Sequence, residues 1–247
     1  MVSRNSGAKN GLPANELLQR LSPRDFALIS PYLEQFDASA DRVLYNPGDQ
    51  VESVHFPCGP SVAAFVIAME DGREFDAALI GREGAAGGIV SHGSLPAFSR
   101  ITVRFAGPFA RLPVARLEAA KARSRTLAGL FARYADCLLA QILQSTACNA
   151  THSIEQRAAK WMIAAAERTG PERVPLTHEQ LGMLLGVGRS YASRVVQKFK
   201  AARLVETRRK AFIVKNAEGL QAKACHCDTR SKRHFNEVMD GLYPTDD

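Results

Sequence analysis

The segment from Leu176 to Val214 constrains the fold of this chain more than any other stretch. It opens as two short helices joined by a glycine turn: LTHEQLGMLLGVGRSYASRVVQKFK, residues 176–200. Thr177 and Gln180 have the three-residue spacing of a capping box, which begins a helix. Gly186 follows the last apolar residues of that helix, where a C′ residue adopts positive φ at low strain. The segment therefore predicts a helix-turn-helix.

The second helix starts near Gly188–Arg189 and has one apolar face. The residues predicted to be buried by its spacing are Ala192, Val195, Val196 and Phe199. Gly182, inside the first helix, costs roughly 1 kcal/mol relative to alanine. It lies four residues before Gly186, where the second helix must pack closely across the first. We infer that the missing side chain permits this approach.

The opposite face of the second helix is basic and is the candidate site. Arginine suits bidentate contact with guanine in the major groove, and serine can serve several base edges. Residues near the start of a recognition helix reach the bases. The residues predicted to read bases are Arg189, Ser190 and Arg194. Phosphate contacts, which position a protein without specifying sequence, are predicted for Thr177, Ser193 and Lys198.

A second basic element follows. Arg208, Arg209 and Lys210 lie between two apolar runs, as the tip of a β-hairpin would. Such a tip can lie on a phosphate backbone, so these three residues are also predicted phosphate contacts. An ordinary solvated turn in a helical domain is the alternative, because a helix–glycine–helix pattern alone occurs in many proteins. The capping box, the basic face and the hairpin together favour double-stranded DNA as the partner.

Positive charge is concentrated around this segment. The 247-residue chain has a formal net charge of +7, of which residues 1–150 contribute +1, residues 151–215 +8 and residues 216–247 −2. An excess centred on the helix-turn-helix is the electrostatic footprint of a nucleic-acid-binding domain. A uniformly basic chain would have been weaker support for this interpretation.

Length and composition restrict the class of protein. With 46% hydrophobic residues, the chain is globular and long enough for two domains. No apolar run approaches the ~20 residues that cross a membrane. The N-terminal MVSRNSGAKN lacks the apolar core of a signal peptide, so we expect a cytoplasmic protein with no membrane partner. The chain contains no P-loop, metalloprotease or G-x-S-x-G motif, and we therefore expect that the protein is not an enzyme.

The cysteines form no regular framework, and reduced thiols in a cytoplasm fit them best. They are Cys58, Cys137, Cys148, Cys225 and Cys227. The run Cys225-His226-Cys227, with His234 further on, raises the question of zinc. Its spacing is shorter than the usual C-x2–4-C, which makes a closed tetrahedral site awkward. We therefore expect incidental thiols in a C-terminal tail and no metal.

The front half of the chain has a different sequence pattern, in which one helical segment is followed by short strands. A segment from about Leu12 to Tyr32 is predicted to be helical. After Asp37 come short alternating stretches separated by glycine-containing turns, among them Val51–Phe56, Ala63–Ile67 and Ile101–Phe105. This is the pattern of many short strands in a sandwich or barrel.

From Leu117 to about Ala147 the chain contains no proline, and only Gly129 interrupts a helical pattern. Its apolar stripe has roughly heptad spacing and consists of Leu127, Leu130, Phe131, Tyr134, Leu138, Gln141 and Ile142. The stripe could pack back on the β domain or form a two-stranded coiled coil with a second copy. The DNA prediction favours a homodimer, because helix-turn-helix proteins commonly bind two half-sites. Residues 154 to about 169 predict a further amphipathic helix.

This order of elements resembles the Crp-Fnr family (cyclic-AMP receptor protein / fumarate-nitrate regulator) of bacterial transcription factors. The resemblance covers roughly residues 13–220, and its most specific part is LGMLLGVGRSYASRVV, residues 181–196. In the family, the positions of Arg189 and Arg194 read bases. Ser190 stands where an acidic residue often follows the first arginine, so the preferred operator should differ from the common one.

The resemblance implies an α+β fold with an N-terminal cyclic-nucleotide-binding-like β-roll (jelly roll), a long dimerisation helix and a C-terminal winged helix-turn-helix. The expected divisions are a flexible tail at 1–12, a sensor domain at 13–118, the dimerisation helix at 119–147, the DNA-binding domain at 148–220 and an extension at 221–247.

An effector pocket is implied as well, and its candidate residues are Gly81, Glu83, Gly84, Ser99 and Arg100. Nucleotide-binding members have a Gly-Glu phosphate cassette where Ile80–Gly84 lies, and Glu83 is present. Their later Arg-Ser/Thr-Ala triplet is not: the expected arginine falls on Ser99 and the expected serine on Arg100. A one-residue shift turns a strand side chain to the opposite face, so Arg100 would need a local bulge. A cyclic nucleotide is therefore disfavoured, and we expect no cofactor.

The sequence gives equally weak support for the other cofactors that members of the family bind. Oxygen-sensing members carry an iron–sulfur cluster on N-terminal cysteines, and no cysteine precedes Cys58 here. His55 and His92 could be haem ligands, although a lone histidine in a β domain is more often structural.

The leading hypothesis is a homodimeric, sequence-specific transcription regulator that acts on a pseudo-palindromic operator. RNA polymerase would be a further partner, and the effector pocket would be degenerate or altered. The alternative is a ligand-binding or protein-interaction module whose winged helix docks protein rather than DNA.

Overall fold

The computed structural model describes residues 13–90, 93, 95–170 and 173–243, and the architecture is α+β, as expected. The helices are α1 (Glu16–Gln19), α2 (Pro23–Ile29), α3 (Val114–Arg123), α4 (Arg125–Thr151), α5 (Ile154–Thr169), α6 (His178–Leu185), α7 (Arg189–Ala201), α8 (Ala217–Gln221) and α9 (Cys227–Met239). The strands are β1 (Glu34–Ala38), β2 (Val43–Tyr45), β3 (Ser53–Pro57), β4 (Val62–Ala68), β5 (Glu74–Ile80), β6 (Arg100–Phe105), β7 (Gly107–Pro113), β8 (Val205–Arg208) and β9 (Ala211–Val214).

The front half contains the β-roll. Within the described residues its strands form two sheets, in the orders β1-β7-β3 and β2-β6-β4-β5. β1 and β3 both pair antiparallel with β7, and β2 pairs antiparallel with β6. Phe56, Val103 and Phe109 are fully buried. Along β3 and β6 successive residues are buried, so both faces of these strands are covered. The three stretches predicted as strands correspond to β3, β4 and β6.

The predicted N-terminal helix is two short helices. Asn15 caps α1 by accepting hydrogen bonds from the backbone N–H groups of Leu17 and Leu18. Ser22 caps α2 by accepting from the N–H of Asp25, and Pro23 follows at the first helical position. The Ser22-Pro23 pair therefore ends one helix and starts the next.

The chain divides into two compact units. The first consists of described residues within Met1–Phe65, Leu79–Leu138 and Phe235–Asp247, and the second of those within Val66–Ala78 and Leu139–His234. In the first unit, α1, β3, β7 and α3 contribute to one core, whose largest buried side chains include Phe56, Phe131 and Leu117. In the second unit, α5 packs with α6, α7 and α8, and β8 pairs with β9.

The helical run predicted from Leu117 is interrupted. Ser124 has extended backbone angles, φ −136° and ψ 112°, which end α3. Its hydroxyl then accepts a hydrogen bond from the N–H of Leu127 in the first turn of α4. The sequence did not reveal this break, because a serine can cap a helix or lie within one.

Much of the predicted dimer stripe is internal to the chain. Leu127, Leu130, Phe131 and Tyr134 are at most 3% exposed and belong to the core of the first unit. This corrects the expectation that these four residues face a second copy: for them the structure shows the alternative, packing back on the β domain. Leu138 is half-buried against the same core. Gln141 is half-buried and Ile142 is 42% exposed.

By length and composition alone, α4 could cross a membrane. α4 contains no unbroken apolar run of that length, because Arg133 and Asp136 lie within it. One helix of this kind is weak support for a membrane protein, since the core helix of a soluble protein passes the same test.

Candidate nucleic-acid interface and sensor pocket

The corner between α6 and α7 is built as the sequence predicts. The Thr177 hydroxyl accepts from the N–H of Gln180, whose side chain accepts from the N–H of Thr177, so the capping box is complete. Gly186 ends α6 at φ 69°, in the left-handed region. A Cβ on Gly182 would lie 2.7 Å from the carbonyl oxygen of Val187. Glycine at this position therefore makes room for the backbone of the turn, and not for the middle of α7.

An arginine beneath the corner fixes the end of α6. Arg157 on α5 is 6% exposed as a residue, and the Nη2 of its guanidinium donates to the carbonyl oxygen of Leu185 at 2.8 Å. The last carbonyls of a helix have no partner within the helix, so this bond satisfies one of them. Arg157 was not among the predicted site residues, because one arginine in an amphipathic helix has the pattern of a solvated residue.

α7 presents the predicted base-reading residues to solvent. Its buried residues are Ala192, Val195, Val196 and Phe199, as predicted. Arg189, Ser190 and Arg194 are exposed on the other side. The Arg194 guanidinium carbon lies 4.9 Å from the centre of the Tyr191 ring, close enough for a cation–π contact. Tyr191 is 43% exposed and was not among the predicted site residues.

Three of the predicted phosphate contacts already have partners. The Ser193 hydroxyl lies 2.7 Å from Nδ1 of His178. Lys198 forms an ion pair with Glu155 on α5, and this hydrogen bond raises the pKa of the lysine. The Thr177 hydroxyl accepts from Gln180 and retains its own proton for donation. Contact with DNA by these residues stays a prediction, and for Lys198 it would compete with Glu155.

His178 was not predicted as a site residue. Its ring lies 5.2 Å from that of Phe212, between α6 and β9. Burial lowers the pKa of His178, and the positive charges of Arg189 and Lys200 lower it further. A neutral imidazole that bonds to Ser193 links the first helix of the corner to the second.

The wing is a hairpin with a two-residue loop. Arg208 pairs with Ala211, which leaves Arg209 and Lys210 at the tip, and Lys210 has φ 56°. All three basic residues predicted here are exposed. With Arg173 they line an open depression of about 650 Å³. Arg173 is distant in sequence from the tip, so the sequence pattern could not assign it to the wing.

The predicted phosphate cassette is occupied by the chain's own groups. The Glu83 carboxylate accepts from the N–H of Gly81 at 3.0 Å. A Cβ on Gly84 would lie 2.2 Å from the hydroxyl oxygen of Tyr134, which donates to the carbonyl of Ala85 and accepts from its N–H. Tyr134 on α4 therefore packs against this turn.

A separate cavity of about 350 Å³ lies in the β-roll. Its walls are mostly apolar or glycine, with Val51, Phe65, Ile89, Leu95 and Ile101 among them. Of the predicted pocket residues, Ser99 lines this cavity. Arg100 is half-buried at the start of β6, and the bulge in the β2–β6 pairing lies between Val43 and Tyr45 on β2. The described lining residues carry no charged side chain.

His55 has a structural environment. Its ring makes edge contacts with Phe36 and Tyr45, at centroid distances of 6.1 and 5.6 Å. Burial, together with the charges of Arg111 and Arg42, lowers the pKa of His55 to about 4. His92, the other histidine considered for haem, lies outside the described residues.

The cysteines are free thiols, but three of them are not scattered. Cys225 and Cys227 lie beside Cys148 and His152 from the end of α4, with ligand atoms within 4.8 Å of one another. His226 and His234, the histidines considered from the sequence, are not in this group. Cys225 and Cys227, expected to be incidental tail thiols, thus lie in a buried group that residues distant in sequence complete.

Comparison with known proteins agrees with this geometry. The family model described as a Crp-like helix-turn-helix domain matches residues 156–223. A search of curated proteins gives no match. Among solved structures, FixK2 from Bradyrhizobium japonicum is 14% identical with a TM-score of 0.67, over 78% of this chain and 98% of that chain.

Two further structures are similar. A transcriptional regulator of the CRP family from Thermus thermophilus, TTHB099, is 14% identical with a TM-score of 0.65, over 77% of this chain and 96% of its own. The c-di-GMP-responsive regulator CLP from Xanthomonas campestris is 16% identical with a TM-score of 0.57, over 81% and 98%. At such identities the likeness shows the fold. The resemblance found in the sequence is thereby confirmed: the chain contains a Crp-like helix-turn-helix domain at residues 156–223 and has the fold of the Crp/Fnr regulators.

Proposed function

We propose that this protein is a sequence-specific, DNA-binding transcription regulator that acts as a homodimer on a pseudo-palindromic operator. The observation that carries the proposal is the exposed face of α7, where Arg189, Ser190 and Arg194 project from a helix whose other side is buried. Arg157 and the Thr177–Gln180 capping box fix that helix pair from beneath. Base readout needs such a rigid support, because small displacements lose bidentate contacts.

Phosphate contacts come from the wing in this proposal. Arg208, Arg209 and Lys210 are exposed beside Arg173, in the part of the chain that carries the net charge of +8 between residues 151 and 215. These contacts would supply affinity that depends on salt, because each phosphate contact releases counterions. The alternative, a winged helix that docks protein, has no need for this concentration of charge.

The homodimer rests on a stripe in the second part of α4. Leu139, Ile142 and Leu143 are 55%, 42% and 62% exposed, at the i, i+3, i+4 spacing of one helix face. A second copy of the chain is the partner that would cover this stripe and present two recognition helices to two half-sites. The interface then uses Ile142 from the predicted set, but with Leu139 and Leu143 in place of the buried residues before them.

The effector pocket is altered in this proposal. The Gly81–Gly84 turn is filled by Tyr134, and the cavity beside Ser99 has mostly apolar walls. A cyclic phosphate needs a cation or several N–H donors, so the cavity suits a small apolar molecule better. We infer that the protein acts without enzymatic activity, in the cytoplasm, with RNA polymerase as a further partner.

The test is selection of bound DNA from a random pool with the full chain, followed by binding measurements on the selected site. We expect a palindromic consensus for the wild type. Arg189→Ala should lose about 1–3 kcal/mol of binding free energy and relax specificity at one base pair in each half-site. Arg230→Ala, which removes the same charge from an exposed position on α9, should keep the consensus. Equal binding of all sequences by the wild type would contradict the proposal.

A further inference from the structure

We propose that Cys148, His152, Cys225 and Cys227 together bind one zinc ion. The Sγ atoms of Cys148 and Cys225 are 3.6 Å apart, as are the Sγ of Cys227 and Nδ1 of His152. All four ligand atoms lie within 4.8 Å of one another. This inference does not depend on the proposed DNA-binding function.

These separations are those of a tetrahedral mononuclear site. Zinc–sulfur bonds of about 2.3 Å place the ligand atoms of a tetrahedron about 3.8 Å apart, and a Cys3His donor set is a common closed zinc site. An iron–sulfur cluster distributes its four ligands over two or four irons, so some ligand pairs would lie farther apart than the 4.8 Å that contains this whole group. The geometry therefore selects a single thiophilic ion.

The two halves of the site come from distant parts of the chain. Cys148 lies in the last turn of α4, and His152 follows that helix directly, with its N–H still donating to the carbonyl oxygen of Cys148 at 3.1 Å. Cys227 begins α9, and Cys225 lies two residues before it. Residues four apart on a helix share a face, which is the spacing that paired helical metal ligands use. The short Cys-x-Cys spacing then has to provide only two corners of the tetrahedron. The Cys-x-Cys spacing is too short only for a tetrahedral site whose ligands all come from the C-terminal segment.

The three thiols are buried: Cys148 is fully inaccessible, and Cys225 and Cys227 are 5% exposed. Groups that suit thiolates surround them. Gln144 donates from Nε2 to the Sγ of Cys227 at 3.2 Å, and the ammonium of Lys160 lies 3.5 Å from the Sγ of Cys148.

Lys160 is an independent indication of negative charge at this place. It is only 7% exposed. A buried ammonium is costly unless an anion lies nearby. Three thiolates, one neutral imidazole and Zn²⁺ carry a single net negative charge, which Lys160 balances. The ammonium of Lys160 also lies 4.3 Å from the centre of the Trp161 ring, a cation–π contact that offsets part of the cost of its burial. Zinc-bound thiolates would add the negative charge that three protonated thiols do not supply.

The site would join the start of α9 to the end of α4 within the second unit. Binding displaces the thiol protons to solvent, and the neutral imidazole uses the Nδ1 lone pair. Lys160 and Arg157 belong to the same helix, α5, and Arg157 holds the end of α6 through Leu185. The ion would thus support, from one side, the helix on which the recognition corner rests.

The experiment measures zinc bound to the full chain after purification under reducing conditions. We expect one zinc ion per chain. After exchange with cobalt, we expect the visible spectrum of a tetrahedral, thiolate-rich Co²⁺ complex. Cys225→Ser combined with Cys227→Ser should lower zinc affinity by roughly 100-fold or more, beyond the effect typical of groups that merely orient ligands. Cys137→Ala, a buried thiol outside the group, should keep full zinc content.

Gln144→Ala keeps all four ligands and should fold even if the double variant does not. It should weaken zinc binding by roughly 10-fold, as the loss of a hydrogen bond to a ligand does. The proposal is overturned if the wild-type chain binds no zinc at stoichiometric concentration, or if the double variant binds zinc as the wild type does. It is also overturned if Cys148 and Cys225 form a disulfide under mild oxidation while added zinc gives no protection.

Discussion

His55 lies inside the β-roll as a neutral side chain, with its ring against Phe36 and Tyr45. Burial and two arginines lower its pKa to about 4, from the ordinary value of 6.5. The unfolded chain therefore binds a proton at mildly acidic pH that the folded chain does not. Stability contributed by the neutral histidine is complete above pH 6.5 and is lost as the pH falls toward 4.

We expect the free energy of unfolding of the wild type to fall by about 2 kcal/mol more between pH 7 and pH 5 than that of His55→Gln. The glutamine variant is less stable at pH 7 but has no proton to gain at this position. Urea unfolding at a series of pH values measures the difference. Parallel pH curves for the two proteins would show that His55 is not the buried, neutral group described.

Single residues also show that a sequence pattern predicts which side chains are exposed but not which partners they bind. Arg189, Ser190 and Arg194 are exposed as the amphipathic pattern of α7 requires. The partners of Ser193 and Lys198, namely His178 and Glu155, lie on α6 and α5. No periodicity within α7 predicts those partners, because they depend on how three helices pack.

At the scale of elements, the α6–α7 corner depends on a close approach between backbones. Gly182 has the Val187 carbonyl above it, whereas Gly129 in α4 has open surroundings: a Cβ there would meet Leu242 at 3.8 Å, an ordinary contact. The two glycines are alike in sequence, since each interrupts a helical pattern. They differ only in what packs against them.

The same substitution at the two positions should therefore have opposite effects. Gly182→Ala should destabilise the protein by about 1–3 kcal/mol, because the new Cβ overlaps the turn. Gly129→Ala should stabilise it by up to about 1 kcal/mol through helix propensity. Chemical denaturation of the two variants beside the wild type measures both. Equal stabilisation by the two would mean that the corner is looser than described.

At the tip of the wing, the positive charge of Lys210 can be removed by a substitution that does not strain the backbone. Lys210 has φ 56°, a conformation that glycine adopts at lower cost than lysine. Lys210→Gly should keep or raise stability. We expect it to weaken binding of all DNA sequences similarly and to reduce the slope of log affinity against log salt by about 1. Lys210→Arg, which retains the charge, should keep the wild-type slope. A specific loss at one base pair would instead place Lys210 in base readout.

At the scale of the whole molecule, the proposed homodimer depends on an apolar surface that the chain itself does not cover. The exposed stripe of Leu139, Ile142 and Leu143 belongs to the part of α4 that follows the buried Leu127–Tyr134 stretch. This exposed stripe shares only Ile142 with the predicted heptad stripe, so the two parts of the helix use different positions. The first part stabilises the chain's own core, and the second remains available to a partner.

Leu139→Glu combined with Leu143→Glu should raise the dimer dissociation constant by roughly 100-fold or more. Each apolar side chain contributes about 1.5–3 kcal/mol when buried, and carboxylates there would also repel their counterparts. Sedimentation equilibrium measures the change. The double Leu→Met variant keeps the stripe apolar and should remain dimeric. A wild-type chain that is monomeric at all concentrations would contradict the homodimer.

The sequence alone determined the α+β class, the strand-rich front half and the helix-turn-helix with its cap, glycines and basic face. Those features follow from local periodicity and backbone preference, which neighbouring residues express by themselves. Only the tertiary structure decided which half of the α4 stripe is buried, that Tyr134 fills the Gly81–Gly84 turn, and that Cys148 and His152 meet Cys225 and Cys227. Each of these depends on residues dozens of positions apart, and the spacing along one segment carries no information about them.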